Sequence, residues 1–304
     1  MQNKLNLKDI SLISEIEEIT LTPSLIKLLK KEDAMRSKQH AACIRVYRII
    51  YKSKGHSIVG FIVEPLTKKG SLPCIIWNRG GDRFSAGIQP QYIFSRSIGA
   101  LATAGYIVFA SQYSGNEGGE GTDYHGGAEI EDVLTFHKII QRYSYADSKR
   151  IGMYGISRGG TMCYLALARV KWIRAVVVTA GVSNFFHQVK HRPGLRKLYR
   201  KLFGGSREEY KKRSVVYWVD KLYKKAPLLL LHGTADRRVD VRDTLELGKL
   251  FYEAKIPYRV VIYPGEDHGI SGSRASTLNE TIGWFDQYVK NLEKLPNLKL
   301  RDDE

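Results

Sequence analysis

Apolar residues along this chain fall into short runs, separated by stretches in which they recur every three or four positions. Six runs read as buried strands: Cys74 to Asn78, Tyr106 to Ala110, Ile151 to Tyr154, Ala175 to Thr179, Leu228 to Leu231 and Tyr258 to Ile262. Between and after them lie helical faces, with Leu247, Leu250, Phe251 and Ala254 on one and Leu278, Ile282, Phe285 and Val289 on another. Strands alternating with helices predict a mainly parallel central sheet with helices on both faces. In such a sheet, ligands bind beyond the carboxyl ends of the strands. Ahead of this rhythm, Ile44 to Tyr51 and Ser57 to Glu64 alternate as a hairpin around Lys54 and Gly55. Residues 1–40 are expected to form an N-terminal helical extension, with Leu25, Leu28 and Leu29 as its apolar stripe and a polar run from Lys30 to His40. The remaining residues, 41–304, are expected to form one domain. One segment, about residues 183–212, breaks the rhythm between two buried strands. Its Pro193, Gly194, Gly204 and Gly205 mark a short helical insertion placed like a lid. The tail from Pro296 to Glu304 is polar and expected to fray.

Composition narrows the class. Hydrophobic residues make up 43% of the 304 positions and charged residues 26%, the balance of a soluble globular protein. No stretch approaches the roughly 18 to 20 continuous apolar residues of a membrane span. Glu15, Glu17 and Glu18 interrupt the only apolar region near the start, so no secretion signal is expected. Cys43, Cys74 and Cys163 cannot all pair, and free thiols fit a reducing, cytoplasmic location. Net charge is +17, which raises nucleic acid as a partner. Eleven Lys, Arg and His residues lie between Lys190 and Arg213, however, without zinc-finger spacing or RNA-binding aromatics. A solvated basic face is the favoured reading, and no nucleic-acid partner is expected.

The strongest chemical signal is Gly155-Ile156-Ser157-Arg158-Gly159, between the run ending at Tyr154 and a small-residue helical stretch. In that context the pentapeptide is a nucleophile elbow of the α/β-hydrolase fold, with Ser157 as nucleophile. The turn strains the backbone of the serine and leaves no room for side chains beside it. The backbone N–H of Arg158 is then one oxyanion donor. A serine hydroxyl needs a base, and in this fold the chain order is serine, acid, histidine. His268 is the candidate base, because Pro264 and Gly265 present it in a loop after a strand. His232 precedes the acid and reads as a turn residue bonded to backbone. Asp236, within the first turn past Leu231, is the candidate acid, Asp240 reads as a helix N-cap, and Asp267 is a weaker alternative acid. Phe185, Phe186 and Tyr113 are candidates to line the substrate site. Glycines at 115, 118, 119, 121, 126 and 127 crowd a loop where a nucleotide fingerprint would sit. Tyr124 stands where the third glycine is required, and Glu117, Glu120 and Asp123 would repel phosphate. The loop is read as flexible and as bordering the active site.

Three segments together resemble the catalytic domain of the prolyl oligopeptidase family: Gly155 to Gly160, Leu231 to Val239, and Tyr263 to Gly269. Arg213 to Trp218 adds to the likeness, which extends over residues 44–293 or so. It implies an α/β-hydrolase fold and places Ser157, Asp236 and His268 on the family's triad. The family often takes a second oxyanion donor from a tyrosine after the third strand, where this chain has Arg79. The backbone or guanidinium of Arg79 serves there, or Arg79 is instead a structural partner of a carboxylate. Peptidases of the family also carry a β-propeller, and about 40 residues before the hydrolase region are too few for one. Size exclusion of substrates is therefore expected to be weak. No metal or organic cofactor is implied. The expected substrate is a small molecule or short peptide with an ester or amide bond. Peptidase, carboxylesterase, acyltransferase and inactive binding module all remain open, as does the oligomeric state. The cations of the insertion, including Arg196, Lys197, Arg200 and Lys201, suggest a preference for anionic acyl groups.

Overall fold

The computed structural model describes residues 4–81 and 87–299. Among them, nine strands form one sheet. They are β1 (Ile13–Ile19), β2 (Ile44–Ser53), β3 (His56–Pro65), β4 (Leu72–Asn78), β5 (Ile107–Ser111), β6 (Ala146–Ile156), β7 (Ile173–Thr179), β8 (Leu228–Gly233) and β9 (Tyr258–Tyr263). Their spatial order is β1-β2-β3-β5-β4-β6-β7-β8-β9. The pairs from β1 to β5 are antiparallel, and every pair from β5 through β4 to β9 is parallel. The six runs predicted as buried strands are the cores of β4 to β9, and the hairpin is β2 and β3.

Helices cover both faces: α1 (Pro23–Lys27), α2 (Lys31–Ala41), α3 (Pro90–Ser95), α4 (Ser97–Thr103), α5 (Ile130–Arg142), α6 (Arg158–Leu167), α7 (Phe185–His191), α8 (Leu195–Phe203), α9 (Arg207–Arg213), α10 (Val241–Glu253) and α11 (Arg274–Phe285). Side chains of a strand point alternately to the two faces. Accordingly Leu228 and Leu230 join a core with Ile139 of α5, Leu165 of α6 and Leu247 of α10. Leu229 and Leu231 join a second core with Leu101 of α4 and Phe285 of α11. The parallel part of the sheet with helices on both faces follows from this two-sided burial of continuous apolar strands, and its architecture is that of an α/β-hydrolase fold.

The segment expected as a helical extension is only partly helical. Residues 13–19 form β1, which pairs with β2 from Ile13 opposite Tyr51 to Ile19 opposite Val46. Glu15, Glu17 and Glu18 lie on this edge strand and are exposed there. Charged edge strands are common because they discourage further pairing, and their mixed pattern carries no clear period. Leu28 of the expected apolar stripe is 63% exposed, and the longer helix is the polar run, α2. Residues 300–304 of the polar tail lie outside the described residues. Among the described residues, no helix is long and apolar enough to cross a membrane.

Between β7 and β8, helices α7, α8 and α9 occupy the segment read as an insertion. They pack a small apolar cluster of their own, in which Phe185, Tyr199, Phe203 and Tyr210 meet Val182 and Val239. Those two valines follow the carboxyl ends of β7 and β8, so the helices stand over the end of the sheet where polar residues collect.

Candidate active site

Strand β6 ends at Ile156 and α6 begins at Arg158, leaving Ser157 at the corner with φ 56° and ψ −123°. A non-glycine residue held there stores about 1–3 kcal/mol of strain, which the surrounding structure must offset. Main-chain bonds do so. Ser157 N–H donates to Thr179 O at 2.9 Å, and Ser157 O accepts from Gly160 N–H at 2.9 Å and Val182 N–H at 3.3 Å. The flanking glycines have a direct steric cause. A Cβ on Gly155 would overlap the carbonyl oxygen of Gly159, and one on Gly159 would overlap that of Asn78.

Asp236 follows β8 and His268 follows β9, and the two meet across the sheet edge. His268 Nδ1 lies 2.7 Å from Asp236 Oδ2. The same oxygen receives His232 Nε2 at 3.0 Å, while Oδ1 accepts the N–H groups of Arg238 at 2.7 Å and Val239 at 3.1 Å. Burial pushes the Asp236 carboxyl up, but the hydrogen bonds from His232 and His268 overcome it and hold the group well below the usual carboxylate range. His232 is fully buried and is more than the turn residue its position suggests. Its Nε2 faces two acceptors, Asp236 Oδ2 and Val239 O, so that nitrogen carries the proton. Its Nδ1 then accepts from the Thr244 hydroxyl at 2.6 Å. Asp240 caps α10 through Arg242 N–H at 3.0 Å. Asp267 instead accepts from Gly269 N–H and Ser271 N–H, which ties its own loop.

Ser157 and His268 line one cavity of about 570 Å³. Its apolar wall comes from α8, through Leu195, Leu198 and Tyr199. Three residues expected there are elsewhere. Phe185 is fully buried against Tyr199 and Phe203, and Phe186 packs on Tyr210 and Tyr217. Tyr113 is fully buried with its ring centre 4.8 Å from each of the guanidiniums of Arg79 and Arg158. Aromatic character alone marks these residues for burial; the packing of α7 and α8 decides which side Phe185 and Phe186 face, and the two guanidiniums hold the Tyr113 ring. The cations Arg196, Lys197, Arg200 and Lys201 are exposed and line no part of this cavity, because α8 turns its apolar face inward.

Behind the elbow lies a buried charge network. The Arg158 side chain, 1% exposed, reaches Asp123 at 2.5 and 2.8 Å and Glu129 at 2.7 Å. Burial pushes the Asp123 carboxyl up, yet the charge and hydrogen bonds of Arg158 hold it well below the usual range. Arg79 gives its guanidinium to the carbonyls of Gln112 and Gly80, with Asp123 at 3.8 Å. Burial and the nearby Arg158 push Arg79 down to about 10. The glycine-rich loop is therefore tied in place, since Asn116 and His125 N–H also bond Asp123 and Gly126 N–H bonds Glu129. His125 reaches the cavity itself. Burial first, then Arg158, push its imidazole well below the usual histidine range, and among the described residues its Nδ1 has no hydrogen-bond partner. Neither His125 nor the side-chain role of Arg158 is evident from the motif. The one available signal was acidic residues in a loop facing an arginine that a tight helix start must bury. Removing the guanidinium leaves two buried carboxylates short of a partner, so Arg158→Ala is expected to lose about 3–5 kcal/mol of stability. The midpoint of urea unfolding checks this. The backbone N–H of residue 158 survives the substitution, so the loss appears in stability first.

A model described as the prolyl oligopeptidase family matches residues 92–292. The chain is 30% identical over 230 residues to the uncharacterized peptidase YtmA of Bacillus subtilis, covering 74% of this chain and 86% of that protein. It is 24% identical over 266 residues to human prolyl endopeptidase FAP, covering 85% of this chain and 30% of that one. Among solved structures, an acylaminoacyl peptidase of Pyrococcus horikoshii superposes with a TM-score of 0.72 at 21% identity, covering 84% of this chain and 43% of that one. That likeness is one of fold. The chain thus spans most of YtmA but less than half of the FAP and Pyrococcus proteins.

Proposed function

The chain belongs to the prolyl oligopeptidase family, and from that membership we propose that it is a serine hydrolase acting on ester or peptide-like amide bonds. In this reading Ser157 Oγ attacks the substrate carbonyl and His268 takes its proton. Asp236 orients the imidazole through Nδ1 and stabilises the imidazolium, leaving Nε2 for the proton transfer. The N–H of Arg158, in the first turn of α6, meets the developing oxyanion with the helix dipole behind it. At Arg79 the second donor is assigned to the main chain, because its guanidinium is bonded to Gln112 O and Gly80 O. The leaving group departs with the proton from His268, and water deacylates Ser157 by the same route. His232 is a positioning residue that holds Asp236 from the opposite side.

The observation that carries this reading is the 2.7 Å contact of His268 with Asp236, made at the rim of the cavity that Ser157 also lines. Treatment with a fluorophosphonate, which phosphonylates activated serines with loss of fluoride, is expected to add one adduct that maps to the peptide containing Ser157. A freshly folded protein that takes up no adduct would instead be a hydrolase-fold binding module.

A further inference from the structure

Beyond His268 opens a second chamber of about 710 Å³. The two chambers share Arg96, Ser97, Tyr154, Ile156, Arg238 and His268, whereas Ser157 lines the first alone. The far chamber is rich in arginine: besides Arg96 and Arg238 it is lined by Arg36, Arg237 and Arg274. Two of these are already paired, since Arg36 and Arg274 share the buried Asp33 at 3.1 and 2.9 Å and Arg36 also meets Glu32 at 3.8 Å. The other three are not. Among the described residues, Arg96, Arg237 and Arg238 have no carboxylate partner. Arg96 lies over the Tyr92 ring at 4.0 Å instead. The chamber's own carboxylate, Asp267, is engaged by Gly269 N–H, Ser271 N–H and the Ser271 hydroxyl.

Position adds to charge. Arg238 is held by its main chain on both sides, its N–H donating to Asp236 Oδ1 at 2.7 Å and its carbonyl accepting from Gln188 Nε2 at 2.7 Å. Arg238, which lines both chambers, is thus anchored to the same carboxylate that holds His268. In acyl transfer the leaving group receives its proton from the base and so lies against it. With the acyl half in the chamber of Ser157, the leaving half crosses His268 into the arginine-lined chamber. We propose that this chamber is a leaving-group site for a carboxylate, such as the free terminal carboxylate of a short peptide, bound by Arg237 and Arg238 with Arg96 at the throat. Planar guanidiniums match a carboxylate in paired hydrogen bonds, which lysines do not. The proposal rests on the hydrolytic reading above and adds to it the chemistry of the leaving group.

The test uses two acetyl esters with the same acyl half, 4-acetoxybenzoate and 4-acetoxybenzamide. The native protein is expected to favour the carboxylate ester by about tenfold in kcat/KM, the scale of two partly exposed charge pairs. The preference should lie in KM and shrink as salt screens it. In the double variant Arg237→Ala/Arg238→Ala the ratio is expected to fall to about one. Because the ratio is internal to each preparation, partial misfolding lowers both rates and leaves it intact. A native ratio of one, or a ratio that survives in the double variant, overturns the proposal. So does a preference that appears only when the carboxylate is moved to the acyl half, as in a hemisuccinate ester, which would point to Arg192 in the Ser157 chamber. Failure to turn over any of these esters, together with no fluorophosphonate adduct, overturns the hydrolytic reading itself and the leaving-group site with it.

Discussion

Ser157→Ala is expected to lower kcat about 10⁶-fold on any ester that the native protein hydrolyses, with KM little changed. In the proposed mechanism the attacking atom is lost, while the donors assigned to Arg158 and Arg79 and the α8 wall of the cavity remain. What activity survives therefore reflects binding and oxyanion stabilisation alone. Folding should be untouched. The bonds that fix the elbow use only the main-chain N–H and C=O of residue 157, and alanine keeps the Cβ that the turn already accommodates at φ 56°. Kinetics on the two proteins, with matched thermal unfolding midpoints, check both halves. A loss of tenfold or less would remove Ser157 from the chemistry.

Asp236→Asn is expected to lower kcat about 10⁴-fold through the tautomer of one histidine. The direction follows from the bonding of each carboxylate oxygen. Oδ1 faces two main-chain donors, Arg238 N–H and Val239 N–H, so an asparagine must turn its carbonyl there. Its amide then occupies the place of Oδ2, where it meets His232 Nε2 and His268 Nδ1. Two donors cannot satisfy each other. His268 responds by carrying its proton on Nε2, the nitrogen needed as base, and His232 must exchange tautomers against Thr244. The variant should therefore label slowly with a fluorophosphonate and lose some stability, since His232 is buried. Normal labelling would instead show that Asp236 does not set the state of His268.

These two substitutions differ in what makes them foreseeable. Ser157 stands in a motif whose geometry is local, because a strand, a tight turn and a helix lie within a dozen residues. Gly155 is required by a contact within the turn, with the carbonyl of Gly159, whereas Gly159 is required by the carbonyl of Asn78 on β4; the elbow is legible from its spelling together with the strand and helix patterns that flank it. Asp236 and His268 are placed by chain order at the ends of β8 and β9, which the apolar runs before them locate. The sharing of Asp236 by a second histidine is not legible in the same way. His232 lies within the first strand-to-loop corner, where a bonded turn residue and a buried partner of the acid look alike in one dimension.

Continuous apolar runs determine the strands β4 to β9, their two-sided burial and hence the parallel sheet with helices on both faces, since the pattern of apolar residues records which sides of an element meet the core. The sequence by itself also determines that the polar motifs gather at the carboxyl ends of β6, β8 and β9. Tertiary structure alone decides which buried charges pair and which side chains reach the cavity. Arg158 finds Asp123 and Glu129 at separations of 35 and 29 residues. Phe185, Phe186 and Tyr113 turn into packing, while Leu195, Leu198, Tyr199 and His125 line the cavity. The edge strand β1 likewise forms where no period announces it, because β2 presents an edge that it can pair with. The physical reason is common to all three: burial pattern is a property of each segment, but a hydrogen-bond partner or a cavity wall is a property of two segments brought together.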